Sequence, residues 1–168
     1  MSVLGIDVGT STCKGVVLNA EGKIIAQSQQ AYSEKPTIQN QFAEISAETF
    51  KDGVFSVIKK LASRVCTIDP IQAIALSTHG ETLIPVDSNG KALRPALLSM
   101  DRRGVLETEK LANTVGSENF YRICGTPLHS QYPVPKIMWL KEHEKETVNK
   151  TARYCTTQDY LHGALGVS

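Results

Sequence analysis

The chain has 168 residues, 41% apolar and 21% charged, with a formal net charge of +1. That is enough for an ordinary domain with a real core, of soluble, globular composition. The near-neutral balance supplies no global field to recruit nucleic acid or an anionic membrane, and no apolar run has the length that crosses a bilayer.

The first residues, Met1-Ser2-Val3-Leu4-Gly5, lack the basic region and cleavable apolar stretch of a signal peptide. Val3–Val8 reads as a buried strand and Gly15–Asn19 as a second. Ala20-Glu21-Gly22-Lys23 reads as a tight turn, with glycine where positive φ is needed. Lys23–Tyr32 continues as a third strand with rough alternation, so the chain opens as a three-stranded antiparallel meander. Ser33–Gln41 is polar and reads as a surface loop, and Ser46 can cap a helix. Phe50, Val54, Val57, Ile58, Leu61 and Ala62 follow at helical spacing, and Gly53 weakens that helix by about 1 kcal/mol relative to alanine. Ile71–Leu76 is an uncharged apolar run, expected to be a central strand covered on both faces.

Thr82–Val86 is a further short strand, followed by a turn at Asp87–Gly90. Asp101–Val115 is helical in pattern, and Pro133 and Pro135 open another helix bearing Ile137, Met138 and Leu140. Arg153–Cys155 is an expected strand edge, and Thr157 can cap a last helix through Leu165. Cys13, Cys66, Cys124 and Cys155 are scattered without a CxxC spacing. They are expected to be reduced core thiols of a cytoplasmic protein. The pattern is a mixed sheet covered by helices.

The chemistry concentrates at Gly5-Ile6-Asp7-Val8-Gly9-Thr10-Ser11-Thr12. A carboxylate ending a buried strand is costly unless compensated. One compensation is a structural hydrogen bond to the following turn amides; the other is a hydrated metal ion held near phosphate. Gly9 permits close backbone approach to a ligand, and Thr10, Ser11 and Thr12 offer hydroxyls and turn N–H groups suited to phosphate oxygens. Magnesium is commonly held by one or two carboxylates plus phosphates and waters. The stretch is neither a Walker loop nor a dinucleotide fingerprint, because the required glycine and lysine spacings are absent and a strand follows.

Strand, Asp7-Val8-Gly9-Thr10-Ser11, strand, Asn19-to-Gly22 turn, strand resembles the first phosphate-binding hairpin of the actin, heat-shock chaperone and sugar kinase superfamily. Five later blocks narrow the resemblance to the FGGY carbohydrate kinases. They are Ala75–Thr82, Val86–Ala96 with its Leu93-Arg94-Pro95-Ala96, Asp101-Arg102-Arg103, Pro135–Leu140 and Gln158–Leu161. They occur in the family's order and run nearly end to end.

The resemblance implies an α/β, RNase H-like (actin-like ATPase) fold, with residues 1–168 as the family's N-terminal domain and a nucleotide-binding domain outside the chain. It implies ATP and Mg²⁺ as cofactors, with Asp7 on the metal through water and Gly9, Thr10, Ser11 and Thr12 at the phosphates. Thr78, His79, Gly80 and Glu81 fall on the family's sugar-contacting loop, and Asp101 and Arg103 on its D-x-R near the cleft. His79 and Gly80 match the xylulokinase loop, whereas Glu81 and Thr82 match the glycerol kinase triplet. Ser99 replaces a frequent family tryptophan, and only Glu44 survives of the family's E-Q-D-P.

The implied activity is transfer of the ATP γ-phosphate to a hydroxyl of a ketose, polyol or sugar acid. The family's catalytic aspartate lies beyond Ser168, so the isolated chain is expected to be inactive. The alternative expectation is a non-catalytic sugar binder or remnant. Expected partners are a small sugar or polyol and the missing domain, with no nucleic acid and no membrane. Bare domain-interface surfaces could drive a homodimer.

Overall fold

A computed structural model describes residues 1–67 and 69–167. In chain order its strands are β1 (Ser2–Val8), β2 (Thr12–Leu18), β3 (Ile24–Ala31), β4 (Thr37–Gln39), β5 (Phe42–Ile45), β6 (Ile71–Thr78), β7 (Ile84–Val86), β8 (Ala96–Leu97) and β9 (Arg153–Cys155). Its helices are α1 (Ala47–Val65), α2 (Val105–Val115), α3 (Ser117–Cys124), α4 (Pro133–His143), α5 (Lys145–Lys150) and α6 (Thr157–Ala164). The elements form two compact units.

Unit 1 comprises the described residues of Met1–Lys35, Ser46–His79 and Thr157–Ser168. Its sheet has the order β3-β2-β1-β6, with β1 antiparallel to β2, β2 antiparallel to β3 and β6 parallel to β1. The period-two pattern of β1 buries Leu4, Ile6 and Val8 and leaves Val3 and Asp7 exposed. Phe50, Val54, Val57 and Leu61 of α1 are fully buried, and each such side chain contributes about 1.5–3 kcal/mol of burial. The helix lies close to the sheet: a Cβ on Gly15 would fall 2.5 Å from Val57 Cγ1 and 2.8 Å from Leu61 Cδ1.

Several sequence expectations change here. Strand β2 begins at Thr12, three residues before the apolar run, because Cys13 and Lys14 pair with Val8 and Asp7 in the ladder. Ser46 occupies the N-cap of α1 but makes no side-chain cap bond; its carbonyl accepts from Thr49 N–H instead. Gly53 has a packing reason, since a Cβ there would fall 2.6 Å from Tyr32 Cε1. The strand expected to be covered on both faces, β6, ends the four-stranded sheet, and Gln72–Ala75 are exposed. Among the cysteines only Cys13 is fully buried; Cys66 and Cys124 are exposed and Cys155 is half-buried.

Unit 2 comprises Pro36–Ile45 and Gly80–Thr156. The stretch read as a surface loop contains β4, which pairs antiparallel with β5 across a turn in which Asn40 takes φ 56°. Asparagine tolerates that left-handed conformation, which is how a polar stretch forms a tight hairpin. Strand β5 also pairs with β8, and β7 pairs with β9. Leu83, Leu97 and Leu140 form the core, with Ile137, Trp139, Val148 and Tyr154 packed on it. Helix α2 starts at Val105, four residues after Asp101, and exposes Leu106 while burying Glu107.

Candidate functional site

In unit 1 the β1–β2 connection is a tight turn closed by the Gly9 N–H donating to the Thr12 carbonyl at 3.0 Å. Asp7 is exposed at the end of β1 and pairs in register with Lys14 on β2 and Ser77 on β6. Alternation places all three on the sheet face opposite the one that buries Ile6 and Cys13. There an open depression of about 300 Å³ is lined by Gly5, Asp7, Lys14, Val16, Ala75 and Ser77, among others. Thr10 and Ser11 are exposed at the turn and Thr12 is half-buried. Carboxylate, ammonium and turn donors thus share one end of the sheet.

Asp7 therefore needs little burial compensation. The donor set fits a Mg-phosphate group: one exposed carboxylate beside a turn of N–H and O–H donors. Among the described residues no cluster of three or more His, Cys, Asp or Glu side chains could hold a metal ion by itself.

Two residues of this site carry no motif in the sequence. Lys14 stands on β2 opposite Asp7, as far from the turn centre as that carboxylate. Tyr32 carried no motif, yet it donates its hydroxyl to the Gly9 carbonyl at 3.0 Å, and its N–H donates to the Ser11 carbonyl at 3.1 Å. Burial first, then the neighbouring Cys13 and Asp7, push the Tyr32 phenol well above its ordinary range, so it stays a donor. Burial and Asp7 likewise push the Cys13 thiol up to about 11.

His79 ends unit 1 differently from the expectation of a sugar ligand. Its Nδ1 lies 3.2 Å from the Val8 carbonyl and its Nε2 lies 3.0 Å from the Thr157 hydroxyl. Both ring nitrogens are thereby engaged within the unit. The hydroxyl of Thr78 turns back to the His79 carbonyl at 3.3 Å.

In unit 2, Gly80 is exposed and Glu81 half-buried. Among the described residues the Glu81 carboxylate has no hydrogen bond or ion pair of its own. Its backbone carbonyl accepts from Lys136 Nζ at 3.1 Å, which also donates to the Leu98 carbonyl at 2.7 Å. Lys136 is fully buried, and burial pushes its ammonium down to about 8 against the opposing pull of Asp101 and Glu81.

Asp101 and Arg103, expected near a cleft, are inside the unit instead. Asp101 is completely buried. Its Oδ2 accepts from the Ala43 N–H and from Arg103 Nη2, both at 2.8 Å. Its Oδ1 accepts from Arg103 Nε at 2.8 Å and from the Arg103 N–H at 3.2 Å. Arg103 also pairs with Glu44, which Arg94 shares, and Arg94 reaches Glu144. The Arg103 guanidinium lies 4.6 Å from the Phe42 ring centroid and 4.8 Å from that of Trp139. Burial opposes the Arg103 charge, but the bonds to Asp101 and Glu44 outweigh it and raise its pKa. The D-x-R segment is a scaffold bond between β5 and the start of α2. A sequence motif cannot tell a liganding pair from a structural one.

An antiparallel three-stranded opening, a parallel fourth strand and a phosphate-type turn between β1 and β2 define an α/β domain of the actin-like ATPase class. A family model described as "FGGY family of carbohydrate kinases, N-terminal domain" matches residues 2–166, and the chain belongs to that family. It is 32% identical over 164 residues to a xylulose kinase of Bacillus subtilis, covering 95% of this chain and 32% of that protein. It is 26% identical over 167 residues to a gluconokinase of the same species, covering 97% and 31%. The ligand-bound xylulose kinase from Lactobacillus acidophilus superposes with a TM-score of 0.85 at 27% identity, covering 97% of this chain and 33% of that one. The chain thus spans about a third of the length of the curated relatives it matches.

Proposed function

We propose that this chain supplies the sugar-binding and metal-facing part of an ATP-dependent carbohydrate kinase, which moves the γ-phosphate to a hydroxyl of a ketose, polyol or sugar acid. The observation that carries it is Asp7, exposed in register with Lys14 beside a turn of phosphate-type donors. Asp7 would hold Mg²⁺, and Thr10, Ser11 and Thr12 would bind phosphate oxygens, with Gly9 closing the turn beneath them. Bound Mg²⁺ would neutralise charge on the transferring phosphoryl group. Lys14 adds a second positive group on the same face.

For the sugar, Glu81 offers a carboxylate that has no hydrogen bond or ion pair among the described residues, with Gly80 exposed beside it. Lys136 fixes the Glu81 backbone. Asp101 and Arg103 serve that site by holding the frame of unit 2. The base that takes the acceptor proton, and most of the adenosine pocket, would come from a further domain, a reading supported by the chain's span of about a third of its relatives. The isolated chain is then a sugar binder without turnover. Among the described residues no helix is long and apolar enough to cross a membrane.

The test is calorimetric titration of the chain with D-xylulose, D-gluconate and glycerol, beside Glu81→Gln. Saturable binding of one of them that weakens at least tenfold in Glu81→Gln is the expected result. No binding of any of the three at tens of millimolar would overturn the reading.

A further inference from the structure

The two carbonyls that lead into the phosphate-type turn, Val8 and Gly9, are each held by a side chain from a different part of unit 1. Tyr32, just after β3, donates to the Gly9 carbonyl at 3.0 Å. His79, just after β6, reaches the Val8 carbonyl at 3.2 Å. Phe50 of α1 lies between the two rings, 5.6 Å edge-on from Tyr32 and 5.2 Å from His79. The far nitrogen of His79 meets Thr157, a fully buried hydroxyl that opens α6.

We propose that His79 is a positioning residue held in its neutral Nδ1–H form, which ties the phosphate-type hairpin to the start of α6 within unit 1. A backbone carbonyl can only accept, so the nitrogen facing Val8 carries the hydrogen. In a neutral ring the other nitrogen is then a lone pair, and it accepts from the Thr157 hydroxyl. One imidazole satisfies an acceptor on one side and a donor on the other. The Phe50 ring packs against it at a tilt of 58°, centroids 5.2 Å apart. This role rests on the kinase reading for what the hairpin binds, but not for the geometry.

Two measurements on the full 168-residue chain decide it. A nitrogen-15 ring correlation spectrum should show a protonated, pyrrole-type Nδ1 and a pyridine-type Nε2 for His79, assigned by the signal missing in His79→Asn. The opposite tautomer, a ring averaging between the two, or an Nε2 shift caused by added D-xylulose would overturn the proposal. In amide exchange, His79→Phe keeps a ring but no donor, and Gly9–Thr12 should exchange about tenfold faster, the loss of one hydrogen bond. His79→Asn keeps an N–H donor and should stay within about twofold of the parent. Equal protection in all three proteins would overturn the proposal. Neither readout requires sugar to bind, so a failed sugar titration counts against the kinase reading alone.

Discussion

Replacing Asp101 by asparagine separates a scaffold from a ligand. The carboxylate is completely buried and accepts four hydrogen bonds, two from backbone N–H groups and two from the Arg103 guanidinium. Asparagine must point its own NH₂ at one of these donor sets, losing two acceptor contacts and one of the three carboxylates paired with Arg103. Removing one partner of a buried ion pair costs about 3–5 kcal/mol, a large share of the total stability of an ordinary domain. With a urea slope of about 2 kcal/mol/M, the midpoint should fall by about 1.5–2.5 M. Trp139 is the only tryptophan and its ring centroid lies 4.8 Å from Arg103, so its fluorescence reports this unit directly. Arg103→Met should be similarly destabilising alone, and the double variant should cost clearly less than the two singles combined. A substitution at a solvent-facing ligand position would move stability by no more than about 0.5 kcal/mol. An unchanged midpoint in Asp101→Asn would therefore refute the scaffold role and restore a cleft-facing aspartate.

Three further outcomes follow from the geometry. Lys136 is held down at about 8 by burial, against 10.5 for an ordinary lysine. Between those values the unfolded chain holds a proton that the folded chain has lost, so this group makes stability rise with pH across that window, by at most about 3 kcal/mol, and below it the burial penalty applies in full. Denaturation midpoints at pH 7 and 10 should show that rise in the parent and lack it in Lys136→Met; parallel slopes would remove the buried-ammonium account. Gly53→Ala should lower the melting temperature despite its gain in helix propensity, because the new Cβ meets the Tyr32 ring at 2.6 Å and overpacking costs about 1–3 kcal/mol; a higher melting temperature would show that Tyr32 moves aside freely. Asp7→Asn should leave the melting temperature nearly unchanged, since the carboxylate is exposed, while a longer kinase carrying this domain loses most Mg²⁺-dependent turnover. Near-parental kcat there would remove the metal role.

Much of the site's location was legible in sequence because it depends on local chemistry. An acid, a glycine and three hydroxyls between two apolar runs specify a polar turn at a strand end wherever the strands go. Helical spacing likewise defined the buried face of α1, where Phe50, Val54, Val57 and Leu61 fall, and an apolar run defined β1, of which Leu4, Ile6 and Val8 are buried while Val3 and Asp7 are exposed. Strand β4 lies in a polar stretch whose only signal is the tolerance of Asn40 for positive φ, and β6 is apolar without being covered. Strand β6 pairs with β1, far away in the chain, and β4 pairs inside its own hairpin, where the turn residue is the one local trace.

The sequence by itself determined the family, the phosphate-type turn and the identity of the groups that could do chemistry, because each is a property of neighbouring residues. Only the tertiary structure decided what those groups face. It turned Asp7 and Lys14 to one open side and sank Asp101 and Arg103 into the frame of unit 2. It engaged both nitrogens of His79 and left the Glu81 carboxylate without a partner among the described residues. The physical reason is that a side chain's role follows from its burial and from which donors or acceptors meet it, and those arrive from distant parts of the chain.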